Sequence, residues 1–377
     1  MKKRIVIARS NGVDPDSRVE KEANSLAKNG YDVTILAWDR SSNYRIRVDR
    51  KKLQNTTVKR ISFGSKANFG EGFKSLKPFT LFQMRLAAWL FKHHKEYDAV
   101  HLCDFDTGFT GIKVAKFFHK KVIYDIFDYS GTDAKSFFDK TIKRWEDNII
   151  NNADATIICT DERKRQIKGT NPKLLTVIHN TPADISVEEK PSENNPHSKI
   201  KIAYVGILQD YRLLKEMVHA IERMNDVELH IGGFGKLDKY IEDESKHHNN
   251  IIYYGKLEYQ DTLALENSCD IMTAIYDPEI GNHRFAAPNK FYEALFLGKP
   301  LIMVKGTGMS QIVKNEGVGV LIDYTEESFV DGVRQLISEK ESWPTMKQNM
   351  QNLYMREFSW NEMERRLCGL YDQVFSC

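Results

Sequence analysis

Across 377 residues, apolar side chains make up 41% and charged ones 28%, which excludes a disordered or fibrous chain and suits two soluble domains with a core each. A formal net charge of +3 gives no sign of a nucleic-acid partner, and no stretch approaches the ~20 uninterrupted apolar residues of a membrane-spanning helix. Five cysteines (Cys103, Cys159, Cys269, Cys368, Cys377) are scattered and never form a C-x-x-C pair, against a disulfide frame or a zinc site. They suit a reducing cytosol. The basic start Met1-Lys-Lys-Arg4 leads into an apolar run far too short for a signal peptide, so the expectation is a cytoplasmic protein.

Residues 4–8 are a short apolar run that ends in Arg9-Ser-Asn-Gly12 and passes into a helix-like segment from Asp16 to Asn29. Val19, Ala23, Leu26 and Ala27 share one face of it, Gly30 closes it, and 31–38 read as a second strand. This is a Rossmann-like βαβ opening without the G-x-G-x-x-G fingerprint of dinucleotide binding. Residues 66–95 mix Phe69, Phe73, Phe79, Phe82, Trp89 and Phe91 with six lysines and arginines, Glu71 alone being acidic. Two readings stay open there: peripheral contact of 66–79 with an anionic membrane surface, or a loop followed by an ordinary helix from about Thr80. Residues 97–108 read as a strand running into a turn, 111–118 as a helix, and 122–128 as a strand ending in carboxylates. Ligands of open α/β sheets sit beyond the carboxyl ends of strands, where His101, Asp104, Asp106, Asp125 and Asp128 fall. Asp104 and Asp128 are the candidate general bases, beside the alternative that they cap helix starts.

Further on, 145–153 reads as a helix, 155–160 as a strand and 161–167 as a short helix. Ser186 to Ser198 is rich in Glu, Asn, Pro and Ser with no apolar period, as a linker is. A second βα unit starts at 200–206, with a helix from about Arg212 to Met224. Strand 227–235 then turns on Gly232, Gly233 and Gly235, which either admit an anion to the backbone or serve a tight turn. Strands at 251–255 and 270–276 flank a helix at 259–267. Residues 305–308 and 318–323 complete the sheet, before helices at 326–338 and 361–375. The most informative stretch is 287–304. Pro288 suits a first helical turn, Phe291, Ala294, Leu295 and Leu297 face inward, Gly298 fits the C-terminal cap, and Pro300 precedes a buried strand. That helix start favours phosphate, Lys290 adds a cation, and Glu293 can accept two sugar hydroxyls. An ordinary Lys–Glu pair on a surface helix is the alternative.

The run PNKFYEALFLGKPLI resembles the donor-site helix of the GT-B glycosyltransferases of the large retaining family called family 4. Other motifs agree: Asp16-Ser-Arg-Val-x-Lys-Glu-Ala23 is similar to the family's D-P-R-V-x-K-E-A opening, and Thr176-Val-Ile-His-Asn-Thr-Pro182 to its exit from the first domain. The resemblance implies two Rossmann-like doubly wound domains facing a central cleft. Residues 1–185 plus a terminal helix at 360–377 would form the acceptor side, 199–358 the nucleotide-sugar domain, and 186–198 the linker. It further implies Glu293 on the ribose, Arg212 and Lys290 on the diphosphate, and Gly206, Gly232, Gly233 and Asn289 lining the donor. Asn11, Gly12, Arg18 and His101 would face the acceptor, Arg18 having the alternative of pairing with Glu22. The implied donor is a nucleotide diphospho-sugar, a UDP-sugar first among candidates, with a glycan or lipid-linked acceptor, retention, no metal and no cofactor. The implied setting is bacterial surface polysaccharide or glycoconjugate synthesis at the inner face of the plasma membrane. Three departures stand out: Phe127 replaces a histidine of Y-D-x-H-E, Ile207 an arginine of G-R-L-x-x-x-K, and Phe285 the first acid of E-x7-E. They motivate two alternatives, a catalytically silent glycan- or partner-binding protein and a sugar-nucleotide epimerase.

Overall fold

The computed structural model describes residues 2–67, 76–132, 136–182 and 199–376. The chain divides into two compact units, Met1–His179 with Met363–Cys377, and Asn180–Glu362. The expected linker and the aromatic, basic stretch 68–75 lie outside the described residues.

The first unit runs β1 (Arg4–Arg9), α1 (Ser17–Lys28), β2 (Asp32–Asp39), β3 (Arg47–Lys52), β4 (Thr57–Gly64), α2 (Leu76–Lys92), β5 (Ala99–Cys103), α3 (Asp104–Phe117), β6 (Lys121–Ile126), α4 (Phe137–Asn152), β7 (Ala155–Ile158), α5 (Arg163–Gln166) and β8 (Leu175–Val177). Its sheet has the order β3-β4-β2-β1-β5-β6-β7-β8, parallel except for β3, which pairs antiparallel with β4. The apolar runs that form its middle strands are buried on both faces, as a parallel sheet covered by helices requires. Asp16 caps α1 by accepting from the Val19 amide, and Val19, Ala23 and Leu26 turn into the core.

The second unit runs β9 (Ile200–Leu208), α6 (Leu214–Ile221), β10 (Val227–Gly235), α7 (Asp238–His247), β11 (Ile251–Tyr253), α8 (Tyr259–Ser268), β12 (Ile271–Ala274), α9 (Asn289–Leu297), β13 (Leu301–Val304), α10 (Ser310–Glu316), β14 (Gly319–Ile322), α11 (Glu326–Ser338) and α12 (Trp343–Leu353). The sheet order β11-β10-β9-β12-β13-β14 is all parallel and reads 3-2-1-4-5-6, the doubly wound order whose direction reverses between its first and fourth strands. A last helix, α13 (Trp360–Ser376), returns to the first unit, which takes the chain up from Met363.

Three local expectations are corrected. Two strands go unread in the sequence: Arg47-Val-Asp-Arg-Lys-Lys52 of β3 has no apolar face to mark an edge strand, whereas β4 carries the buried Val58, Ile61 and Phe63. Helix α3 begins at Asp104 with no turn to Gly108. Gly108 and Gly111 are close-packing positions there: a Cβ on Gly108 would lie 2.7 Å from the Tyr124 ring, and one on Gly111 would strike Leu102. Residues 305–308 form a turn, not a strand, after β13.

Candidate functional site

The strand order of the second sheet reverses between β9 and β12, so the edge beyond their carboxyl ends is where a ligand is sought. Strands β9 and β10 stay paired to Leu208 and Gly235, with Gly206 opposite Gly233. Gly233 has φ +143°, and a Cβ there would fall inside the Gly206 carbonyl oxygen. Gly233→Ala should therefore force these strand ends apart, at a cost of about 2–3 kcal/mol. The check is a thermal melt: a Tm equal to the parent's would show that the close approach is not required.

Beyond β9 the chain makes a 3-10 turn over Asp210–Arg212, and Leu213 takes the left-handed conformation (φ +55°) with its amide donating to the Tyr324 hydroxyl at 3.1 Å. This break replaces the continuous helix expected from Arg212 and sets the Arg212 guanidinium over the Tyr276 ring at 3.7 Å. Among the described residues, Arg212 Nη1 is buried and has no hydrogen-bond partner. A buried N–H group without an acceptor is costly unless a ligand atom completes it.

Helix α9 starts at Asn289 after Pro288, which supplies no side-chain cap, and ends on Gly298. Lys290 Nζ lies 2.6 Å from Glu293 Oε2 and 2.7 Å from Glu266 Oε1, and Glu266 is wholly buried on α8. Glu293 is 1% exposed and also takes a hydrogen bond from Tyr259. Burial and the adjacent Glu293 carboxylate push the Glu266 carboxyl well above the usual carboxylate range, with Lys290 opposing. Lys290, expected on a phosphate, lies in this structure between the side chains of Glu293 and Glu266. Asn289 Oδ1 accepts from Asn180 Nδ2 at 2.8 Å.

In the first unit the corresponding edge lies beyond β1 and β5. Asp104 accepts from the Phe127 and Asp128 amides at 2.8 and 3.0 Å and pairs with Arg9. Burial raises its carboxyl to about 6, against the pull of Arg9. These partners tie it to the loop after β6. Asp128 is an exposed carboxylate, its side chain 77% accessible, with Arg163 3.4 Å away. Asn11 spends its side chain on Asp16 and the Val13 amide, while the Gly12 carbonyl accepts from Arg60.

Arg18 and His101 are corrected as acceptor contacts, because both are buried in a charge cluster. Arg18 pairs with Asp125 at 2.6 Å and Glu22 at 3.1 Å, donates to the Ile178 carbonyl, and stacks on Phe127. His101 Nδ1 meets the Tyr371 hydroxyl at 2.8 Å, and Nε2 lies 3.5 Å from Asp125. Phe127, the aromatic in a histidine's place, is thus stacked by both Arg9 and Arg18. His101, Cys103 and Asp125 hold ligand-type atoms within 4.8 Å of one another, but Arg18 already supplies the positive charge there. Glu222, Glu244 and His248 make a second such trio at the C-terminal ends of α6 and α7, away from the strands' carboxyl edge. Sequence reasoning missed Arg9, Tyr276 and Glu266. Arg9 and Tyr276 carried a signal, since each stands at or just past the carboxyl end of a strand flanking the reversal point.

A family model described as Glycosyltransferase Family 4 matches residues 17–181, and one described as Glycosyl transferases group 1 matches residues 186–353. No curated protein matches the sequence. Among solved structures, sucrose-phosphate synthase from Thermosynechococcus elongatus is similar at 15% identity, with a TM-score of 0.79 and 100% of both chains covered. Anabaena HepE in complex with UDP-glucose is similar at 13% identity and a TM-score of 0.71, covering 98% of this chain and 99% of that one. An E. coli structure described as trehalose-6-phosphate bound with UDP-2-fluoro glucose is similar at 10% identity, with a TM-score of 0.71 and 99% of both chains covered. At these identities the likeness shows the fold.

Proposed function

Because the chain belongs to the GT-B glycosyltransferases of the family 4 kind, we propose that it moves a sugar from a nucleotide diphospho-sugar to an acceptor hydroxyl, with retention at the anomeric carbon. The observation that carries this reading is Arg212, a guanidinium with a buried, unpartnered Nη1 at the reversal point of the second sheet. It takes the donor diphosphate bidentately and stabilises the charge that develops as the sugar–phosphate bond breaks. Glu293 accepts the ribose hydroxyls, Lys290 orients it, and Gly206 leaves the backbone open to the nucleotide, whereas Gly232 and Gly233 are taken up by packing against Leu257 and the Gly206 carbonyl. Arg212 supplies the cation that the leaving group needs, so the reaction is written without a metal. Two similar structures hold UDP-glucose or UDP-2-fluoro glucose, which favours a UDP-sugar as donor.

The acceptor, a glycan or a lipid-linked sugar, is assigned to the first unit, with Asp128 as its exposed carboxylate at the strand edge. Bacterial surface polysaccharide or glycoconjugate synthesis, with peripheral contact at the inner face of the membrane, is the setting that suits such an acceptor. Among the described residues no helix is long and apolar enough to cross a membrane.

The test is thermal shift against UDP-, GDP-, ADP- and CMP-sugars, with Glu293→Ala alongside. Stabilisation by one nucleotide is expected, and the variant should bind it more weakly by about 1.5–3 kcal/mol, the scale of hydrogen bonds to a charged group. Equal affinity in variant and parent would remove α9 from the donor site. Ile207 and Phe285, apolar where the family pattern has charge, favour a second reading, a binding protein without transfer. Donor binding with no sugar transferred or hydrolysed would mark it.

A further inference from the structure

Glu266 is absent from every motif that led to the donor site, yet it closes the charge group beneath it. Its side chain is wholly buried on α8, and its Oε1 lies 2.7 Å from Lys290 Nζ. Lys290 is the cation that Glu266 meets, through both charge and a hydrogen bond. The same ammonium bonds Glu293 Oε2 at 2.6 Å. One lysine therefore faces two carboxyl groups in a nearly dry site, where its pull on each is strong once that group is ionised. A structural ion pair needs one carboxylate per lysine, and the second is what calls for explanation.

We propose that Glu266 is a positioning residue for donor binding: it draws the Lys290 ammonium inward, so that Glu293 keeps its capacity to accept the ribose hydroxyls. This rests on the donor-site reading of α9. A carboxylate locked to a lysine is a weak acceptor. One that shares the lysine with a second carboxylate retains more negative charge for a diol. The group is also tunable by protons. Facing Glu266 are Glu293 and Lys290 of α9. Tyr259 stands on the first turn of α8 and hydrogen-bonds Glu293, Tyr204 of β9 faces Lys290, and Tyr354, just past α12, lies near Tyr259. Burial holds Glu266 protonated at lower pH, where it exerts no pull. As pH rises it ionises, and Lys290 is shared.

The experiment measures affinity for UDP and for 2′-deoxy-UDP on the same protein preparations, with GDP and 2′-deoxy-GDP as a second pair. The ratio within a pair isolates the ribose contact and is insensitive to partial unfolding, which weakens both ligands alike. In the parent, the preference for the ribose form should be roughly tenfold and grow between about pH 6 and pH 9. Glu266→Gln, which fixes the side chain neutral, should hold that preference at its low-pH value across the range. Glu266→Asp, which keeps the charge, should restore the rise in part. An undiminished, pH-responsive preference in Glu266→Gln overturns the proposal while leaving the donor site standing. A parent that binds none of these nucleotides overturns the donor-site reading and this inference with it.

Discussion

Arg212→Ala is expected to lower kcat/KM for the sugar donor by about 10²- to 10³-fold, the range seen when one preorganised charge stabiliser is removed from a transition state. The size follows from what Arg212 already has and what it lacks. Its guanidinium stacks on Tyr276 at 3.7 Å, and the Leu213 turn fixes its place, so it need not reorganise to meet a diphosphate. Its buried Nη1 has no acceptor among the described residues. Ile207 brings no second cation to this turn, which puts more of the leaving-group charge on Arg212. Arg212→Lys should recover only part of the loss, since an ammonium cannot make the bidentate contact or the flat stack. Steady-state kinetics with the identified donor is the measurement. A variant within about threefold of the parent would put the phosphate contact elsewhere.

Arg18→Ala should be the most destabilising single change in the first unit, by about 3–5 kcal/mol, because it strands buried carboxylates without their counter-charge. Asp125 and Glu22 are both wholly buried, and Arg18 reaches them at 2.6 and 3.1 Å. Burial alone would raise the Asp125 carboxyl, yet Arg18 and His101 hold it below its ordinary value. Burial and Asp125 push Glu22 the other way. The cluster thus keeps one carboxylate charged at the cost of the other, and only while the guanidinium is present. Denaturant unfolding should show the transition of the first unit moved and that of the second unchanged. The triple change Arg18→Met, Glu22→Gln, Asp125→Asn should regain much of the loss. A cost below about 1 kcal/mol for Arg18→Ala would mean that water reaches the cluster.

What could be read from the chain was punctuation and period. Pro288, Gly298 and Pro300 bracket α9, and the sequence marks its ends to within a residue. The middle strands declare themselves as apolar runs. An edge strand such as β3 does not, since its ladder is made by backbone groups and its side chains are charged. Gly108 reads as a turn residue and Gly111 as a helix start, yet both serve helix-to-sheet packing, a distinction that depends on Tyr124 and Leu102. Among the candidate site residues, Arg212 and Glu293 stood out through the family resemblance and not through spacing, and neither route pointed to the surroundings of Lys290. Its second carboxylate, Glu266, sits 24 positions away on another helix, and no local pattern links the two.

The second unit is a single run of chain, Asn180–Glu362, set inside a first unit whose pieces lie on either side of it. Helix α13 supplies Tyr371 to His101 in the buried cluster, and Glu364 accepts from the Ser25 hydroxyl at 2.6 Å. On a ribosome, then, the part made first is finished last. The amino-terminal sheet emerges early but waits for the entire nucleotide-binding half before its cluster can close, while that half can complete itself at once. Chains truncated just before Met363 and released from the ribosome should accordingly show a protease-resistant fragment from the second unit and an amino-terminal region still open to cleavage.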